Sequence, residues 1–358
     1  MIYFDNAATS PPINIPQLFH NPSSPHALGI NAERALRDAR KKIAAILGST
    51  DPDEVIFTSG GTESNNLAIL GYALANSRQN INLISTPHEH PSILAPIKFA
   101  YERNWGTPHT KLVIPTTGPA LVSISHVNHE TGDINDINAI ASDIKKIKPG
   151  AAIHIDGAQG FGKESVCLQN IDMYSFSGHK FHGPMGVGGL WIKKGIRLTP
   201  LQHGGGQENN MRSGTENVPA IVQMAIAAES ACQNFTNNHT HVAQLNSIIR
   251  NLKSDLKDVT VNNLGGETSP YILNMSFLGV KGEVLVHALS EKGVYVSMGA
   301  ACRSRKRAKP ALELMGFAPE VAQSAIRFSF SPINTIEEAT HAREIIFDLV
   351  KQFRKLMK

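Results

Sequence analysis

The chain is poor in cysteine. Its 358 residues include three, Cys167, Cys232 and Cys302. An odd number at wide spacing, with no Cys-x-x-Cys pair, argues against a disulfide framework and a cysteine-built metal site, so no metal is expected. It fits a reducing compartment. No apolar run reaches the roughly 18 residues that a membrane helix needs. The opening "MIYFDNAATSPP" shows neither the basic nor the apolar region of a secretory leader. The expected location is therefore cytoplasmic. Charge of one sign is scarce as well. Lys and Arg number 34 against 30 Asp and Glu, a net +4, too thin a surplus to indicate nucleic-acid binding. What remains is ordinary for a globular protein, 41% hydrophobic and 18% charged, and a chain this long buries a large core without staples.

Apolar strand-like runs alternate with helical stretches through the first two thirds. "EVIFTS", "INLIS", "LVSISHV", "AIHID" and "DMYSFS" read as strands, and residues 30–47, 62–75, 91–103 and 136–148 as helices. This pattern predicts a mostly parallel sheet covered on both faces, with ligands beyond the carboxyl ends of its strands. From about residue 235 the pattern changes. A polar stretch, "NFTNNHTH", precedes a helix. Then come "VTVNN", "YILNMSFL", a helix at 282–292, "VYVS", "AIRFSFS" and a final helix from Thr335, where Thr335 and Glu338 have capping-box spacing. The expected division is a large domain over 13–235 and a smaller α+β domain over 236–358, joined by 1–12.

Three short stretches carry candidate chemistry. "FTSGGTESNN" (57–66) is strand, glycine turn and helix start. Gly61, Thr62 and the helix N-terminus suit a phosphate, although no Gly-Lys-Ser/Thr of a P-loop follows, and a plain structural turn is as good a reading. "AIHIDGAQG" (152–160) ends a strand with Asp156, either a helix cap or the partner of a buried cationic nitrogen. "DMYSFSGHKFHGPMGVGG" (172–189) places Ser177, His179 and Lys180 between a strand end and a glycine-rich loop. Most lysines are solvated surface charges; one desolvated here could form a Schiff base. Together, a phosphate cup, an Asp for a pyridinium nitrogen and a lysine for an aldehyde are the parts that pyridoxal phosphate (PLP) requires.

At this point the chain resembles a NifS/IscS-type cysteine desulfurase, in the class V aminotransferase group of fold-type I PLP enzymes. The stretches that carry the resemblance run in family order from residue 3 to about 331: "YFDNAATSPP", "HNPSSPHALG", "VIFTSGGTESNN", "HEHPSIL", "SHVNHETGDINDI", "HIDGAQGFGK", "SFSGHKFHGPMGVGGLWI", "HGGGQENNMRSGTENV", "VSMGAACRS" and "IRFSFS". The resemblance implies a seven-stranded, mostly parallel large domain and a small α+β domain. It implies that Lys180 binds PLP covalently and moves the Cα proton. Asp156 would pair with the pyridinium nitrogen and Gln159 with the phenolic oxygen, while Gly61, Thr62, Ser177 and His179 would bind the phosphate. Thr215 would reach the phosphate of a neighbouring subunit, which implies a homodimer. His90 would stack on the ring and take part in proton transfer, and Arg327 would grip the substrate carboxylate in a two-pronged hydrogen bond. Taken alone, His90 reads as a capping residue before Pro91 and Arg327 as a strand-end surface charge.

One position departs from the family pattern: His129 stands in "NHE" where an asparagine is usual, and could donate to the same phenolic oxygen or turn aside. The resemblance implies conversion of L-cysteine to L-alanine, with a persulfide on Cys302 passed to an acceptor protein such as an iron–sulfur scaffold or a thiolation carrier. A selenocysteine lyase, a cysteine-sulfinate lyase or an aminotransferase of the same group is the alternative. Cys302 precedes Arg303, Arg305, Lys306, Arg307 and Lys309. These charges are expected to favour its thiolate rather than to bind nucleic acid, since no aromatic residues interleave them.

Overall fold

The computed structural model describes residues 2–5, 20–298 and 310–356. Cys302 and the basic run after it lie outside them. The described residues fall into two compact units, one of 20–126 and 135–233, the other of 2–5, 127–134, 234–298 and 310–356.

Strand β1 (Ile2–Tyr3) belongs to the smaller unit. The larger holds β2 (Val55–Thr58), β3 (Ile81–Ile84), β4 (Gly106–His109), β5 (Ala120–Ser125), β6 (Ala152–Asp156), β7 (Met173–Ser177) and β8 (Gly188–Ile192). Its main helices are α1 (Ala27–Ile46), α2 (Gly61–Ala75), α3 (Pro91–Glu102), α4 (Ile137–Ile147) and α5 (Val218–Gln233). The strands form one seven-stranded sheet in the order β2-β8-β7-β6-β5-β3-β4. Only β8 runs antiparallel to its neighbours, so the sheet is mostly parallel, as expected.

Both faces are covered. Leu36 and Ile43 of α1, Ile144 of α4 and Met224 and Ala228 of α5 pack with Ile153, Ile155 and Phe176. On the other face, Leu67 and Leu70 of α2 and Ile93 and Ile97 of α3 pack with Ala152, Met173 and Leu190. Side chains alternate along a strand, so Ala152, His154 and Asp156 share the α2/α3 face, as do Met173, Ser175 and Ser177. That face is apolar where the strands begin and polar where they end. The site is prepared by this change.

Two strands escape a reading of hydrophobic runs. "GTPH" in β4 is short and polar, and β8 begins within the apparent glycine loop. The structure shows why β8 needs glycine. A Cβ on Gly188 would lie 2.5 Å from the Phe176 carbonyl oxygen and 2.7 Å from Gly60 Cα. The strand and the glycine turn before α2 therefore touch backbone to backbone.

In the smaller unit, β9 (Val259–Val261), β10 (Ile272–Phe277) and β12 (Ala325–Ser329) form an antiparallel sheet with β10 central, while β1 pairs with β11 (Val294–Tyr295). Its helices are α6 (Phe235–Arg250), α7 (Leu252–Asp255), α8 (Gly282–Glu291), α9 (Ala311–Leu314), α10 (Pro319–Gln323) and α11 (Ile336–Leu356). The polar "NFTNNHTH" is not a lead-in: α6 starts at Phe235 and buries only its later residues, Val242, Leu245, Asn246 and Ile249. Val242, Leu245 and Ile249 pack with Met275, Phe328, Leu285, Ile346 and Val350 in one core. Segment 127–134 is tied in by Asn274 Nδ2, which donates to the Glu130 carbonyl (3.1 Å), and by Leu264 N–H, which donates to Asp133 (2.9 Å). The capping box forms as expected: Glu338 N–H donates to Thr335 Oγ1 (3.1 Å) and Thr335 N–H to Glu338 Oε2 (3.2 Å).

Replacing Gly188 by alanine should force the backbones apart at a cost of about 1–3 kcal/mol. Urea denaturation should show a lower midpoint at an unchanged slope; an unchanged midpoint would contradict this account of β8.

Candidate active site

The larger unit gathers most of the candidate residues at the carboxyl end of its sheet. Asp156 is the last residue of β6 and is 6% exposed. Its Oδ1 accepts from Ala158 N–H (3.0 Å) and its Oδ2 from Asn65 Nδ2 of α2 (2.8 Å). The chain then turns tightly over Tyr174, where a Cβ on Gly157 would lie 2.1 Å from the ring. This close approach sets the position of Gln159, whose Oε1 accepts from the buried Lys163 Nζ at 3.2 Å. With its oxygen so engaged, Gln159 presents an amide N–H as donor.

Ser177 ends β7, and the chain passes directly into the 3₁₀ turn Gly178–Lys180. His179 and Lys180 thus sit one step beyond the strand. Burial, then the charges of Lys180 and Lys163, push the His179 imidazole down to about 4, so near neutral pH it carries one N–H donor and one acceptor. The glycine turn lies alongside: a Cβ on Gly61 would meet Ser177 Cβ at 3.5 Å and Ala158 Cβ at 3.8 Å. Thr62 follows in the first turn of α2 and is exposed. Thr215, also exposed, lines a cavity of about 170 Å³ with Thr58, Ser59, Glu208 and Arg212.

His90 does cap α3, as its place before Pro91 suggests. Its Nδ1 accepts from Ser92 N–H (3.1 Å) and lies 2.7 Å from Ser92 Oγ. Ser92 Oγ in turn accepts from Asn65 Nδ2 at 2.8 Å. Asn65 Oδ1 accepts from Ser175 Oγ (2.5 Å), which lies 3.3 Å from His154 Nε2, and Ser123 Oγ is 2.8 Å from His154 Nδ1. A buried polar network therefore runs under α2 and α3 along the polar half of the sheet face. Asn65 and Ser92 had no signal of their own in the sequence, although both stand inside quoted motifs.

Glu89, beside His90, is also buried. It accepts from Thr86 Oγ1 (2.9 Å) and Ser125 N–H (3.0 Å). Burial above all, with the nearby Asp156 charge, pushes its carboxyl up to about 7 against those hydrogen bonds. The sequence held no hint that the middle residue of "HEH" turns inward.

In the smaller unit, Arg327 of β12 is no surface charge. It is 6% exposed. One guanidinium nitrogen donates to the His129 carbonyl (2.8 Å), another lies 3.3 Å from Asp5 Oδ1, and Nε is buried without a hydrogen-bond partner among the described residues. His129 directs Nε2 to within 3.5 Å of Glu130 Oε1.

Known proteins resemble this chain over nearly its whole length. The family model described as Aminotransferase class-V matches residues 2–341. The chain belongs to the class V aminotransferase family. A NifS/IcsS protein homolog of Lactobacillus delbrueckii subsp. bulgaricus is 36% identical, over 99% of each chain. A protein named cysteine desulfurase IscS from Buchnera aphidicola subsp. Schizaphis graminum is 35% identical, over 99% of this chain and 94% of the relative. A solved NifS-like protein superposes with a TM-score of 0.89 at 32% identity, covering 98% of this chain and 99% of its own. The class V enzymes are PLP-dependent, and the larger unit has the donors that this cofactor takes. It offers a buried carboxylate for the ring nitrogen, an amide donor at Gln159, and a glycine turn and helix N-terminus beside Ser177 and His179 for the phosphate.

The Glu89 environment sets a pH dependence. Between its ordinary 4.5 and about 7, the folded state holds a proton that the unfolded state releases, so this carboxyl lowers stability as pH rises through that interval. Glu89→Gln keeps an oxygen for Ser125 and removes the titration. At about 1.4 kcal/mol per pH unit, its stability relative to wild type should rise by up to about 3 kcal/mol between about pH 5 and about pH 8. Denaturation curves at both values test this, and a constant difference would contradict it.

Proposed function

We propose that this protein is a cysteine desulfurase that converts L-cysteine to L-alanine and carries the released sulfur as a persulfide on Cys302. The observation that carries the reading is similarity over nearly the whole chain, at about 35% identity, to relatives named cysteine desulfurase. The family cysteine in "VSMGAACRS" supports it.

Bound PLP supplies an electron sink for charge at the substrate Cα. The protein's own groups do the rest. Lys180 Nζ binds the cofactor, takes the Cα proton and returns it. Asp156 would hold the proton of the ring nitrogen, its carboxylate fixed by Asn65 Nδ2 and Ala158 N–H. Gln159 donates its amide N–H to the phenolic oxygen. Gly61, Thr62, Ser177 and His179 bind the phosphate, and Thr215 completes that site in a second copy of the chain, making the enzyme a homodimer. His90 would contact the cofactor ring. Arg327 grips the substrate carboxylate, a fitting role for a buried guanidinium whose Nε–H has no partner among the described residues. His129 is an additional ligand of the cofactor at the family's asparagine position.

At Cys302 the thiolate attacks the substrate sulfur. The S–S bond forms as the Cβ–S bond breaks, its electron pair stays with Cβ, and Cβ takes up one proton to become the methyl group of alanine. The thiolate, not the thiol, is the nucleophile, and the basic residues at 303–309 favour it. The persulfide sulfur then passes to an acceptor protein that serves iron–sulfur assembly or tRNA thiolation.

Incubation of the pure holoprotein with L-cysteine should give alanine and a mass increase of one sulfur on the peptide containing Cys302. Cys302→Ser should bind cofactor normally and form no persulfide. Undiminished sulfur release by Cys302→Ser, or a keto acid in place of alanine, would overturn the proposal.

A further inference from the structure

His90 joins two features that sequence reasoning kept apart, a helix cap and a reactive imidazole. The hydrogen-bond directions around it are determined by Asp156. A carboxylate only accepts, so the Asn65 atom 2.8 Å from Asp156 Oδ2 is the amide nitrogen. The second N–H of the same amide points at Ser92 Oγ, 2.8 Å away. The Asn65 oxygen is taken by Ser175 Oγ, which fixes the amide from the other side. A serine hydroxyl has one proton to give. Ser92 Oγ lies 2.7 Å from His90 Nδ1, and because that nitrogen already accepts the Ser92 backbone N–H, the proton in this contact is the hydroxyl's. The Ser92 backbone N–H, an unsatisfied donor of the first turn of α3, points at the same nitrogen from 3.1 Å. His90 Nδ1 therefore faces two donors, and a proton there would oppose both.

We propose that the relay Asp156–Asn65–Ser92, closed by the N-terminus of α3, holds His90 as the neutral imidazole with its proton on Nε2. Ser92 and Asn65 are then positioning residues for the reaction. Resting on the reading of His90 as the residue over the cofactor ring, this deepens its role. His90 meets the reacting groups as an N–H donor through Nε2, and Lys180 alone serves as base at Cα. The helix dipole acts in the same sense, disfavouring positive charge at an N-terminus.

The test is long-range ¹H–¹⁵N spectroscopy of holoprotein and apoprotein carrying ¹⁵N-histidine, with His90 assigned by loss of its signals in His90→Gln. Between about pH 6 and pH 8, Nδ1 should appear as the pyridine-type nitrogen and Nε2 as the protonated one in both forms. Ser92→Ala and Asn65→Ala should each displace the Nδ1 resonance. Ser92→Ala should lower kcat about tenfold, the worth of one lost hydrogen bond, with KM within about twofold, and Ser92→Thr should restore both spectrum and rate. A protonated Nδ1 in the wild type, or an Nδ1 resonance unmoved by Ser92→Ala, would overturn the proposal. Absence of alanine formation by the wild type would instead overturn the desulfurase reading, because the spectra do not depend on turnover.

Discussion

The buried Asp156 carboxylate is the constraint around which the larger unit is organised. Removing an anion from water costs several kcal/mol unless hydrogen bonds replace its hydration. Here the replacements come from two directions: a backbone N–H two residues on, and the Asn65 amide of α2. To deliver Asn65, α2 must start at the glycine turn and run close beneath the sheet. To complete the Asn65 amide, Ser92 must stand at the start of α3 and Ser175 in β7. One carboxylate thereby fixes the register of two helices against two strands. The same charge helps keep a proton on Glu89.

Chemistry and stability are divided between the two faces of the sheet. On the α1/α4/α5 side the strands stay apolar toward their ends, with Ile155 and Phe176 fully buried. On the α2/α3 side, Ala152 and Met173 give way to His154, Asp156, Ser175 and Ser177. Burial holds His154 and His126 down to about 4, so both stay neutral and act as hydrogen-bonding groups of fixed charge. A polar layer of this kind specifies one arrangement because His154, Asp156 and Ser175 each have partners; left half satisfied, it would cost more than an apolar filling.

Much of the fold was legible in the sequence because burial on both faces makes parallel strands continuous apolar runs. "AIHID" and "MYSFS" are of this kind, and the glycines after them mark where the chain leaves the sheet. β8 and β4 were not legible. The first reads as a glycine loop because its neighbours leave no room for a Cβ, and the second is a short polar edge strand. The polar start of α6 hid a helix whose buried residues come late. For the candidate site, an ordered series of family motifs pointed to Asp156, Gln159, Ser177, His179 and Lys180, and the structure sets these at the carboxyl ends of the neighbouring strands β6 and β7. Asn65, Ser92 and Glu89 were invisible for another reason. Their meaning lies in hydrogen bonds between α2, α3, β5 and β6, which no local pattern encodes. His90 was legible as a cap and as a family residue, but not as both at once.

The central claim is that these strand ends hold the cofactor through Lys180. A buried lysine, Lys163, stands close by, bonded to Gln159, which makes the claim open to a sharp test. Borohydride reduction of the PLP-loaded protein, followed by digestion and mass mapping, fixes the cofactor on whichever lysine binds it. The account predicts a single modified residue, Lys180, with Lys163 untouched. Modification of Lys163, or of no lysine, would contradict it.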